Sequence, residues 1–126
     1  MSKILVVDDS MTIREMLREV LEGHGFSSIF EAGDGQEAID IFRREKDIGF
    51  IITDCHMPII NGYMMCEVIC SLNNGSLPPM LIITAEADIK IREKFKKLGV
   101  IGWIMKPIDK AILGPLLADL VHQRIK

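Results

Sequence analysis

Short apolar runs, each halted by a polar residue, set the rhythm of this chain. Ile4-Leu5-Val6-Val7 ends in Asp8-Asp9, and Phe50-Ile51-Ile52-Thr53 ends in Asp54. Met80-Leu81-Ile82-Ile83 ends in Thr84-Ala85, and the run from Val100 to Met105 ends in Lys106-Pro107. Runs this short, bounded by polar residues, read as strands of a parallel sheet buried on both faces. Between them the spacing turns helical. Ile13, Met16, Leu17, Val20 and Leu21 share one helical face, with Thr12 and Glu15 set as a capping box and Gly23 and Gly25 closing the segment. Ser28 to Ala32 reads as a short second strand. Asp34 and Glu37 then open a helix through Ala38, Ile39 and Phe42, and Arg43, Arg44 and Lys46 favour its C-terminal end.

A Met57-Pro58-x-x-x-Gly62 loop follows Asp54, a third helix is expected from about Tyr63 to Leu72, and Asn73-Asn74-Gly75 turns the chain. A fourth helix near Asp88 to Leu98 carries Ile91, Phe95 and Leu98 on one face. Its other face holds Lys90, Arg92, Lys94, Lys96 and Lys97, a run that reads as a solvated surface. The last helix meets Gly114-Pro115, and proline lacks the donor an interior position needs. Either Pro115 takes the first helical position of a helix from Leu116 to Arg124, or the helix is kinked there. Five alternating strand–helix units predict an α/β domain with a parallel sheet and helices on both of its faces.

At 126 residues the chain fits one domain, and with 48% apolar residues it can bury a core rather than stay disordered. A net charge of −3 with mixed signs argues against a dedicated nucleic-acid partner. The apolar runs are far shorter than a membrane span, and Asp8-Asp9 halts the first one too early for a signal peptide. Cys55, Cys66 and Cys70 are odd in number and form no disulfide framework, so a reducing cytoplasm is the expected location. Cys66 and Cys70 lie among Met64, Met65, Val68 and Ile69, where cysteine packs as a small apolar residue rather than joining Cys55 and His56 in a zinc site.

Ligands of open parallel sheets bind beyond the carboxyl ends of the strands. Asp8, Asp9, Asp54, Thr84 and Lys106 are therefore expected on one rim. Clustered carboxylates repel one another unless something neutralises them, and magnesium, a hard cation with oxygen ligands, does so well. An aspartate beside it can attack phosphorus. Phosphoryl transfer asks chiefly for in-line positioning and charge neutralisation, which the Lys106 ammonium and the Thr84 hydroxyl can supply.

Asp8-Asp9, Asp54, the Met57-Pro58-x-x-x-Gly62 loop, Thr84-Ala85 and Lys106-Pro107, in that order and each at its strand end, resemble the receiver domain of two-component response regulators, most of all its stand-alone, chemotaxis-type CheY-like members. The resemblance covers essentially the whole chain and implies one receiver domain over residues 1–126 with no output domain in this chain. It implies the (βα)5 flavodoxin-like fold with strand order 2-1-3-4-5. It also implies that Asp54 accepts a phosphoryl group from a sensor histidine kinase or phosphotransfer protein, assisted by Lys106 and Thr84. Magnesium, for which manganese can substitute, would be held by Asp9, Asp54 and the backbone carbonyl of His56, with Asp8 acting through water. Such a chain is a switch rather than a turnover enzyme, catalysing only its own phosphoryl transfer and hydrolysis.

The resemblance further implies that Thr84 moves toward the phosphoryl group while the aromatic residue three before the lysine turns inward. That residue is Trp103, where tyrosine or phenylalanine is more usual; the alternative is a large side chain packed beside the fifth strand. The fourth helix, fifth strand and fifth helix would then present a changed surface to a downstream protein. His56 and Glu86 flank the path of the hydrolytic water in receivers and are expected to tune kinetics, although His56 also reads as an exposed loop residue. The Lys106-Pro107 bond is expected to be cis. No nucleic-acid partner and no membrane insertion are expected.

Three other readings fit the chain less well. Gly33-Asp34-Gly35-Gln36-Glu37-Ala38 fits a dinucleotide fingerprint but lies in the second strand–helix unit and leaves Asp8, Asp9, Thr84 and Lys106 unexplained. A phosphatase of the haloacid dehalogenase type would place an acid two residues after its nucleophile, where this chain has His56. A pseudo-receiver would lack one of the rim residues, and none is missing.

Overall fold

Successive side chains of a strand point to opposite faces of its sheet, so a strand apolar at every position must be covered twice. The computed structural model, which describes residues 3–57 and 59–124, has this arrangement; Pro58 of the loop motif lies outside the described residues. The order along the chain is β1 (Lys3–Val7), α1 (Met11–Gly23), β2 (Ile29–Ala32), α2 (Gly35–Arg44), β3 (Ile48–Thr53), α3 (Gly62–Leu72), β4 (Met80–Thr84), α4 (Ile89–Leu98), β5 (Gly102–Met105) and α5 (Lys110–Arg124). The strands form one sheet in the order β2-β1-β3-β4-β5, with every neighbouring pair parallel.

Leu5, Val7, Ile51, Met80 and Ile82 face α2, α3 and α4, where they pack with Ala38, Ile39, Met65, Cys66, Ile69 and Phe95. The alternate residues Ile4, Val6, Phe50, Ile52, Leu81 and Ile83 face α1 and α5 and meet Leu17, Leu21, Leu113, Leu117 and Val121. Full burial of each such side chain contributes about 1.5–3 kcal/mol, so both faces are needed to hold the sheet. Cys66 belongs to the first core, and burial pushes its thiol up to about 12, which keeps it protonated and apolar. Among the described residues no helix is long and apolar enough to cross a membrane.

One helix boundary differs from expectation. The first helix starts earlier than Thr12 suggested: Ser10 is its N-cap, and the Ser10 hydroxyl accepts from the Ile13 N–H at 3.3 Å. Thr12 and Glu15 are consequently helix-interior residues rather than a capping box. The cap of α2 is as read from sequence, with Asp34 accepting from the Glu37 N–H at 2.8 Å. Of the two alternatives for the last helix, the structure excludes the one with Pro115 at the first helical position: α5 begins at Lys110 and runs through Pro115. The reason lies in packing: Leu113, Leu117 and Val121 recur every four residues on one buried stripe that straddles the proline.

Candidate functional site

Strand register brings the polar strand ends together. Val7 lies opposite Thr53, and the Asp54 N–H donates to the Val7 carbonyl at 3.0 Å, so Asp8 and Asp54 emerge side by side where the strand order reverses. Thr84 ends β4 opposite Met105, and the Lys106 N–H donates to the Thr84 carbonyl at 2.8 Å. The Lys106-Pro107 bond is cis.

At the centre, the Lys106 ammonium donates to Asp54 Oδ2 at 2.8 Å and to Asp8 Oδ2 at 2.9 Å. Asp54 Oδ1 accepts from the Thr84 hydroxyl at 2.6 Å and from the His56 N–H at 3.1 Å. Asp8 Oδ1 accepts from the Ser10 N–H at 2.9 Å. Asp8, Asp54 and Thr84 are buried. Burial is the largest influence on both carboxylates, and it opposes the charged form. At Asp54 it is outweighed by Lys106, Thr84 and the His56 N–H together, which hold the carboxyl below its usual range. Asp8 has only Lys106 and the Ser10 N–H against burial, and its carboxyl sits above that range. Burial also works against the Lys106 charge, but the two carboxylates prevail and raise its affinity for the proton.

Asp9 is exposed at the lip of this centre. Among the described residues no three His, Cys, Asp or Glu side chains stand together as a ready-made metal cage. The donor set nevertheless suits magnesium. Asp8, Asp9 and Asp54 outnumber the single Lys106 ammonium, and magnesium needs only one or two carboxylates with waters completing its shell.

The remaining expected residues lie around this centre. The His56 ring Nε2 pairs with Glu86 Oε1, linking the loops after β3 and β4. The Asp88 N–H, donating to Glu86 Oε2 at 2.9 Å, and then the His56 ring hold the Glu86 carboxyl below its usual range. His56 remains mostly exposed outside that pair. Trp103 is half-buried against the core, with its ring centroid 5.8 Å from that of Phe95, which meets Tyr63 edge-on. Beside it, a cleft of about 350 Å³ between α4 and β5 is edged by Ile89, Arg92 and Lys96. Lys90, Arg92, Lys94, Lys96 and Lys97 are exposed, and the Lys94 ammonium lies 4.3 Å over the Tyr63 ring.

Several contacts escaped the sequence reading. Arg14, anchored by Glu31 at 3.2 Å, donates from Nη1 to the Asp8 carbonyl at 2.7 Å. Arg18 braces the same Glu31 at 2.7 Å. The spacing of two arginines four apart, facing an acid on the neighbouring strand, was the available signal. Cys55, read only as packing, has Sγ 3.3 Å from Thr84 Oγ1.

Two glycines let backbones approach closely. A Cβ at Gly35 would lie 2.6 Å from the Ile60 carbonyl oxygen, so this glycine of the dinucleotide-like pattern serves the packing of α2 on the β3–α3 loop. At Gly62 a Cβ would lie 2.8 Å from Cys55 Cα and 2.9 Å from the Cys55 carbonyl oxygen, which itself accepts from the Gly62 N–H at 3.1 Å. Gly62→Ala is therefore expected to push α3 off the Asp54–Cys55 backbone and cost about 1–3 kcal/mol, read as a lower midpoint of urea unfolding. An unchanged midpoint would mean that the loop yields freely.

Comparison with known proteins supplies a family. Residues 4–117 match the family model described as the response regulator receiver domain. The chain is 34% identical over 123 residues to chemotaxis protein CheY-3 of Vibrio cholerae, covering 98% of this chain and 93% of that protein. It is 31% identical over 119 residues to a chemotaxis protein CheY homolog of Campylobacter jejuni, covering 94% and 92%. Among solved structures, chemotaxis protein CheY4 of Vibrio cholerae superposes with a TM-score of 0.83 at 29% identity, covering 95% of this chain and 98% of that one.

Proposed function

We infer, from the premise that this chain belongs to the response regulator receiver family, that Asp54 is its phosphoacceptor and that phosphorylation there drives a two-component signalling switch. The family is one of regulatory domains rather than of turnover enzymes. The observation that carries the site assignment is the Asp54 carboxylate, ionised at the sheet edge with one oxygen on Lys106 and the other on Thr84. An Asp54 oxygen attacks phosphorus as the P–N bond of a phosphohistidine donor breaks, leaving an acyl phosphate on Asp54 and the imidazole on the donor. Lys106, already bridging two carboxylates, shifts one of its N–H bonds to a phosphoryl oxygen. Thr84 exchanges Asp54 Oδ1 for another phosphoryl oxygen.

Asp9, Asp54 and the His56 carbonyl would hold magnesium, or manganese in its place, with Asp8 acting through water; the ion supplies charge neutralisation for the phosphoryl oxygens. His56 and Glu86, paired across the mouth of the site, tune how readily water reaches the acyl phosphate. A sensor histidine kinase or phosphotransfer protein is the proposed donor. The response runs from Thr84 along β4 to β5, where Trp103 pairs with Ile82, and so to the face formed by α4, β5 and α5. A downstream protein would read that face.

Incubation with a small acyl-phosphate donor, followed by intact-mass measurement, tests the reading. One phosphoryl adduct per chain is expected, dependent on magnesium. No adduct under any condition, with magnesium binding confirmed through Trp103 fluorescence, would overturn self-catalysed transfer.

A further inference from the structure

The hydrogen bonds around Thr84 can be counted to completion. A threonine hydroxyl has one proton to give and two lone pairs to fill. The Thr84 proton is committed: the hydroxyl oxygen lies 2.6 Å from Asp54 Oδ1, and both Asp54 oxygens already act as acceptors, Oδ1 from the His56 N–H and Oδ2 from the Lys106 ammonium. The Glu86 N–H, at 3.2 Å, takes one lone pair of Thr84 Oγ1. Cys55 Sγ stands 3.3 Å from the same oxygen and, with the hydroxyl proton already spent, its thiol must be the donor. Both partners are buried, at 3% and 1% exposure for Cys55 and Thr84, so water does not compete for the position.

We propose that Cys55 is a positioning residue, whose S–H fills the last lone pair of Thr84 and so leaves the hydroxyl only one direction in which to donate, toward the acidic centre at Asp54. The chain runs Cys55 S–H to Thr84 O–H to Asp54 Oδ1, and consecutive donors in a buried chain polarise one another. The close approach of Gly62 fixes the Cys55 backbone from which the thiol projects. Its role in switching rests on Asp54 as phosphoacceptor; its bond to Thr84 does not.

Infrared spectroscopy of the thiol region tests the bond without phosphorylation. The S–H band of Cys55, isolated as the difference between wild type and Cys55→Ala, is expected on the low-frequency side of an unbonded thiol. It should move up in Thr84→Val, which keeps the shape and removes the acceptor. A band indifferent to Thr84→Val overturns the proposal, whether or not the chain can be phosphorylated. The second arm is the change in Trp103 fluorescence on phosphorylation, compared at equal adduct levels measured by mass. Cys55→Ala is expected to reduce that change about two- to threefold, the effect of losing one weak net hydrogen bond, and Cys55→Ser, which restores a donor, to recover it. An undiminished response in Cys55→Ala, or a Cys55→Ser response no better than that of Cys55→Ala, overturns it. Absence of any adduct on wild type would instead remove the phosphoacceptor reading and leave the infrared result to decide the bond.

Discussion

Asp54→Asn is expected to abolish the phosphoryl adduct while leaving the chain folded. The amide keeps the size of the carboxyl but loses the anionic oxygen that attacks phosphorus. The environment spends several donors on that charge: Lys106, the Thr84 hydroxyl and the His56 N–H together overcome burial and keep Asp54 ionised. In the variant, the carbonyl oxygen of the amide can satisfy Thr84 and His56, and its NH2 group then faces Lys106, which retains Asp8 at 2.9 Å. One mismatched contact of this kind costs about 1–3 kcal/mol, below the roughly 5–15 kcal/mol by which a domain is ordinarily stable, so loss of labelling will not be a consequence of unfolding. The sign of the pH effect provides a second check. Because the Asp54 carboxyl sits below its usual range, its contribution to stability is present above that range and is lost as pH falls through it. Unfolding midpoints measured down the acid limb should therefore lose part of their slope in Asp54→Asn. Persistent full labelling of the variant would place the acceptor on another residue.

The strands and their polar ends were legible because both are written in one dimension. A run apolar at every position demands cover on two faces, and the residue that stops it marks the sheet edge. Asp8, Asp54, Thr84 and Lys106 could be placed on one rim in that way, and register does bring them within hydrogen-bond distance. The order 2-1-3-4-5 came from resemblance, since periodicity does not rank strands. What stayed hidden depends on contacts between segments distant in the chain. Cys55 packs like any apolar residue by its neighbours, and only the parallel placement of β3 and β4 sets its sulfur against Thr84, 29 residues away. The pairing of Arg14 with the Asp8 carbonyl likewise needs α1 to lie against β1 and β2.

The last helix stayed open between two readings for the opposite reason. Gly114-Pro115 is a strong local stop signal, and local rules end a helix there. Lys110 to Arg124 is helical nonetheless, because the stripe of Leu113, Leu117 and Val121 recovers more by burial than one missing N–H removes. A Cβ at Gly114 would lie 3.3 Å from His24 Nε2 at the end of α1, so the imidazole would have to give by a few tenths of an ångström.

Lys106→Met is expected to have the largest effect on stability. The ammonium bridges two buried carboxylates at 2.8 and 2.9 Å, so its removal breaks two charge-assisted bonds and leaves two like charges facing each other. Methionine fills much of the same volume, and the loss is therefore electrostatic rather than a cavity. Breaking a buried pair from one side costs about 3–5 kcal/mol; with 20% of the Lys106 side chain exposed, about 2–3 kcal/mol at neutral pH is the expected loss. Its pH dependence identifies the cause. Lys106 is raised above the usual lysine range in the folded chain, so its stabilisation is complete below that range and disappears as pH rises through it. Wild type should lose that increment in the alkaline limb, whereas Lys106→Met has none to lose. At the acid end the order reverses: Asp8 already holds its proton more tightly than an ordinary carboxyl, and without Lys106 it should do so more strongly still. The variant should accordingly gain on wild type as pH falls into the carboxylate range. Adding Asp8→Asn to Lys106→Met removes one of the opposed charges and should restore part of the loss. Equal urea midpoints for wild type and Lys106→Met across this pH range would mean that the ammonium does not bridge the two aspartates in solution.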